Sequence, residues 1–148
     1  MTLYDLIRAI ERIAAEQPSV NMIVENDMFK LENEPSAKYG VFGFRQVEHT
    51  ASVDSAMVQY GFEFYYADRL ADDRSNQVEV QSVGMQTLDN IVRRLAEEED
   101  VVIEECRYTP FRQKFVDVCS GQICALTIGA VRDGMCAVES DKRDVKVI

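Results

Sequence analysis

Tryptophan is absent from the 148 residues, and the chain has only one histidine (His49), three prolines and seven glycines. A single histidine rules out paired-imidazole metal sites and leaves any imidazole acid–base role to one side chain. So little proline and glycine excludes collagen-like and proline-rich low-complexity architectures. Long apolar runs are missing as well. The longest uncharged apolar stretch, residues 123–131, is too short to cross a bilayer, and Asp5 and Arg8 interrupt what would have to be the apolar region of a signal peptide. A soluble protein, not exported by that route, is expected. Cations are in deficit, with 16 Lys and Arg against 26 Asp and Glu and a formal charge of −10. Affinity for the phosphate backbone comes mainly from clustered Lys and Arg, so nucleic-acid binding is not the expected primary role.

What the chain does contain is enough for one core: 47% of its residues are hydrophobic. A single domain over residues 1–130 is expected. A C-terminal extension over 131–148 alternates charges with small apolar residues and is expected to be ordered in part by a neighbour. Four cysteines, Cys106, Cys119, Cys124 and Cys136, show no C-x-x-C spacing and have no histidine pair nearby, so they read as free thiols serving as small hydrophobes. No metal and no cofactor is expected. Acidic residues at 97–100 and 104–105 read as a solvated helix end and a strand edge.

Leu3, Leu6, Ile7, Ile10, Ile13 and Ala14 recur at helical spacing behind Thr2, a natural N-cap, and the helix should stop before Pro18. Residues 20–24 and 28–31 read as short extended segments, 32–37 as a turn, 38–47 as a strand and 49–55 as a polar connection. The clearest strand is 56–67. It places Val58, Tyr60, Phe62, Phe64 and Tyr66 on one face and Gln59, Gly61, Glu63 and Tyr65 on the other, and is expected to be central. A second amphipathic helix runs from Val80 to about Glu99, with Gly84 marking a close contact between helix and sheet. Strands are expected over 101–108, 111–118 and 123–130, separated by a break at Pro110 and a turn at Ser120 and Gly121. The fold class is therefore α+β: a mainly antiparallel twisted sheet flanked by two amphipathic helices.

No catalytic pattern stands out. Gly40 and Gly43 lack the spacing of a phosphate loop, and the acidic residues between 68 and 79 lack EF-hand spacing. The aromatic residues of the two long strands lack the interleaved cations of a base-stacking surface, since Lys38 and Arg45 are nearly the only ones nearby. Tyr65, opposite the apolar row, is expected to contact a neighbouring subunit.

The stretch Tyr65-Tyr66-Ala67-Asp68-Arg69-Leu70, followed by Ser75-Asn76 and Gln81-Ser82-Val83-Gly84, resembles a family of small virion proteins of phages that infect Bacteroidetes, crAss-like phages included. Tyr108-Thr109-Pro110-Phe111, with Phe115 and Asp117 ahead of Cys119-Ser120-Gly121, extends the likeness. The order of elements is also similar to the tail-terminator fold. The resemblance implies a non-enzymatic subunit that forms a homo-oligomeric ring at the head-to-tail junction or tail tube of the virion, made in the host cytoplasm and joined to other neck or tail proteins, with DNA passing through an acidic lumen. It assigns Asp68, Arg69, Asn76, Gln81, Phe111, Phe115 and Asp117 to fold or interface roles. Two other readings compete: a small intracellular module that binds a ligand or peptide, and a thiol-dependent enzyme pairing Cys119 or Cys106 with His49.

Overall fold

Thr2 opens the first helix through a reciprocal cap. Its hydroxyl accepts the backbone N–H of Asp5 at 3.1 Å, and the Asp5 carboxylate accepts the backbone N–H of Thr2 at 3.0 Å. The fold is seen in a computed structural model that describes residues 1–25, 39–112, 119–133 and 146. Helix α1 spans Leu3–Ala15 and buries Leu6, Ile7, Ala9, Ile10, Ile13 and Ala14, the stripe its spacing dictates. Helix α2 spans Gln77–Ala96 and buries Val80, Gly84, Thr87, Leu88, Ile91, Val92 and Leu95.

Between and after the helices run β1 (Met22–Glu25), β2 (Val41–Ala51), β3 (Met57–Arg69), β4 (Val101–Val102), β5 (Cys106–Arg112) and β6 (Cys119–Val131). They form one curled mixed sheet in the order β1-β2-β3-β6-β4, with β5 also paired to β6. The β1–β2 pair is parallel and the other pairings are antiparallel. Strand β3 is central, as its aromatic alternation suggests, and pairs with β6 along its whole length from Met57↔Val131 to Arg69↔Cys119.

Both helices cover one face. Phe42 and Phe44 of β2, Phe62, Phe64 and Tyr66 of β3, and Cys124, Leu126 and Ile128 of β6 meet the helices' apolar stripes in one cluster. Phe42 and Phe64 pack edge to face with ring centres 5.4 Å apart. Each such side chain, fully buried, contributes on the order of 1.5–3 kcal/mol. Gly84 brings α2 close to the sheet: a Cβ there would sit 3.1 Å from the Tyr66 ring.

Four expectations are corrected. Residues 49–51 extend β2 and are not a loop, because the hairpin bond turns at 52–56. The strand expected over 101–108 is two segments, β4 and β5, laid in succession along the same edge of β6. Pro110 does not break β5. It pairs with Gln122 inside it, and an edge strand tolerates a residue that has no N–H. Ser120 and Gly121 do not turn the chain but lie within β6, where the Ser120 hydroxyl donates to the Phe111 carbonyl at 2.8 Å. The expected extended segment 28–31, turn 32–37, the part of the expected strand 111–118 over 113–118, and nearly all of the C-terminal extension fall outside the described residues.

Candidate functional site

The sheet face turned away from the helices has two different ends. At one end Tyr65 and Ala67 of β3, Val24 of β1, Val41 of β2, Phe111 of β5 and Cys119 of β6 form a second buried cluster. At the other end β2 carries a bulge: Gln46 faces Phe62 and His49 faces Tyr60, so Val47 and Glu48 together oppose the single residue Gly61. A Cβ on Gly61 would lie 2.4 Å from the Glu48 carbonyl oxygen, so only glycine lets the bulged strand come this close.

The bulge turns both Val47 and Glu48 toward the open face, where they wall a trough of about 820 Å³. Its floor combines small residues, Gly61 on β3 and Ala125, Thr127 and Gly129 on β6, with Met57 and Gln59 of β3, whose side-chain ends lie over Gly129, 3.0 and 3.2 Å from where its Cβ would sit. Val102 of β4 forms the facing wall. Val47 and Val102 are 51% and 48% exposed, unusually open for apolar residues that share one concavity. Neither helix reaches this face among the described residues.

Charges ring the rim. The Arg45 guanidinium is held by the Glu63 carboxylate, its cross-strand partner. Arg107 lies 3.8 Å from Glu105. Glu48 and Glu104 have no ionic partner among the described residues. Four carboxylates therefore face two guanidiniums, and the trough is acidic.

Of the residues singled out in the sequence, the six that are described gather at the other, closed end. Tyr65 is 1% exposed and belongs to the second buried cluster, which corrects its expected contact with a neighbouring subunit: the side chain packs inside its own chain. Phe111 is buried in the same cluster. Asp68 accepts the backbone N–H of Arg69 at 2.8 Å, and the Arg69 guanidinium lies over the Tyr39 ring, 4.5 Å from its centre. Asn76 ties the following loop together, accepting from the Ala71 N–H at 2.7 Å and donating to the Arg69 carbonyl at 3.3 Å. The Gln81 carbonyl accepts from the Gln122 side-chain amide at 3.3 Å, fixing α2 to β6. These six hold the fold at the end where β3 leaves the sheet. Phe115 and Asp117 lie outside the described residues. Among the described residues the trough contains none of those six; its signal in the sequence is the run of small residues at alternate positions of β6, opposite Gly61.

The residues of a thiol site are not brought together. His49 pairs with Tyr60, whereas Cys119 pairs with Arg69, nine residues farther along β3, which separates them by about 30 Å. Cys106 is on β5, with β6 and β3 between it and the strand of His49. His49 instead hydrogen-bonds the Gln46 side chain at 2.9 Å and packs edge-on against Tyr60. Burial pushes the Cys124 thiol up to about 12 and raises that of Cys106, so both are protonated at neutral pH and poorly nucleophilic. Burial also raises the Tyr108 phenol beside them. Among the described residues no three His, Cys, Asp or Glu side chains gather to hold a metal ion, and no helix is long and apolar enough to cross a membrane.

No protein-family model matches the chain, and a search of curated proteins finds no match.

Proposed function

We propose that the protein is a non-catalytic assembly subunit that docks other chains against the open end of its sheet, and that its setting is the one the sequence resemblance implies, a ring at the head-to-tail junction or tail tube of a phage virion. The observation that carries this reading is the trough. A sheet covered by helices on one face keeps, on the other, a concave trough walled by two half-exposed valines. A ring needs heterologous contacts in which a concave patch of one subunit receives a different patch of the next. The tail-terminator-like arrangement belongs to the same proposal: helices on one side of the sheet, assembly on the other. The charge of −10 suits a lumen along which DNA slides without adhering.

The test is the mass of the purified protein by light scattering over a wide concentration range, at low and moderate salt. A discrete multiple of the subunit mass is the expected result, with cyclic symmetry on imaging. A second reading has an observation in its favour, because about 820 Å³ also falls within the range of small-molecule and peptide pockets. A strict monomer at every concentration overturns the ring and leaves the binding module.

A further inference from the structure

We propose that the trough receives an extended, cationic segment of a partner protein, with apolar side chains laid on the floor and lysine or arginine side chains paired with Glu48 and Glu104. This deepens the docking role given to the trough above and rests on it.

Charge complementarity selects the partner. The two guanidiniums of the rim are outnumbered two to one by carboxylates, with Arg45 held by Glu63 and Arg107 lying near Glu105, so the rim carries net negative charge and favours a cation over an anion. Glu48 and Glu104 stand on opposite walls, one on the β2 bulge and the other between β4 and β5, without ionic partners among the described residues. A nucleic acid or an acidic peptide entering between them meets uncompensated negative charge on both sides, whereas a cation meets a carboxylate on either wall.

Dimensions select an extended chain. From Gln59 to Glu63 the floor runs four residues along β3, about 13 Å at the rise of a strand, the length of four or five extended residues. Across it, β2 to the β4–β5 edge covers three strand spacings, about 14 Å, room for one chain and its side chains. Ala125 and Thr127 keep the β6 side of the floor low between the Glu48 backbone, which lies over Gly61, and the Met57 and Gln59 side chains, which lie over Gly129, while Val47 and Val102 supply apolar walls. The backbone groups of the floor are spent on the β3–β6 ladder, so the contact offers apolar area and two ion pairs, a chemistry that suits a segment alternating apolar and basic residues.

The experiment titrates a labelled six-residue peptide alternating valine and lysine into the full-length protein, by fluorescence anisotropy, beside a valine–glutamate counterpart. Light scattering on the same samples reads the mass. Saturable binding of the lysine peptide is expected, falling about tenfold between 50 and 500 mM salt, with none by the glutamate peptide. Glu48→Gln/Glu104→Gln should weaken it at least about tenfold while leaving the urea midpoint unchanged, since both side chains are exposed. Equal binding of the two peptides, undiminished binding to the double variant, or no saturable binding of the lysine peptide would each overturn the proposal. The two readings separate cleanly. A discrete ring that ignores the peptide leaves the trough to a segment of other chemistry, ending this inference but not the assembly reading. A monomer that binds the lysine peptide does the reverse.

Discussion

Two glycines show how much depends on the path of a single Cβ. At Gly121 a methyl would lie 1.7 Å from the Tyr66 carbonyl oxygen, inside a ladder that cannot shift without breaking β3 from β6. At Gly84 it would lie 3.1 Å from the Tyr66 ring, close but within reach of a small adjustment. Gly121→Ala should therefore cost about 3 kcal/mol or more in urea denaturation. Gly84→Ala should fall within about 1 kcal/mol of the parent protein, because the helix gains about as much as the contact loses. Ionisation gives a second prediction at this scale. Burial, helped by Asp68, pushes the Tyr66 phenol up to about 12, and burial holds Cys124 at about 12. Both groups are favoured in their neutral forms by folding, so their contribution is complete below their ordinary values and is lost as pH rises through the folded ones. The urea midpoint should be flat from pH 7 to about 9 and fall steadily toward 12. Tyr66→Phe should lessen that fall despite losing the hydrogen bond from its hydroxyl to the Ser19 carbonyl. Thr2 and Gly84 were readable as cap and contact because their reasons are local or periodic. Tyr65 was not. Alternation puts it on the second face, but whether that face is wet or buried there depends on Val24, Val41, Phe111 and Cys119 arriving from four other strands.

At the scale of elements, amphipathic spacing defines both helices and β3 to within a few residues, since each buries one face against the same core. The later strands were less legible for a physical reason. Pro110, Ser120 and Gly121 are turn formers in isolation, yet the ladder running from Cys106↔Leu126 to Arg112↔Ser120 outweighs their local preference. The bulge in β2 was invisible because it is defined by its register against β3, not by its own residues. Centrality has an energetic consequence that thermal or urea unfolding checks. Phe64, fully buried in the middle of β3, should cost about 3–5 kcal/mol on change to Ala. Val53, 93% exposed in the β2–β3 connection, should change stability by less than about 0.5 kcal/mol on the same substitution.

At the scale of the whole molecule, two helices spend their apolar stripes on one face of the sheet, and the opposite face is buried at one end and open at the other. The six suggested site residues that lie among the described ones sit at the closed end. The open end is made of residues with little individual signal, small ones on the floor and half-exposed valines above them, so it becomes visible only when four strands are set side by side. The central claim is that this open end is the docking face. It is tested most directly by light scattering at a concentration where the parent protein is assembled, comparing Val47→Asp/Val102→Asp with Val53→Asp, the same kind of substitution on the hairpin connection. The account predicts that the double variant is a folded monomer while Val53→Asp assembles like the parent. Assembly of the double variant to the parent's mass would contradict it.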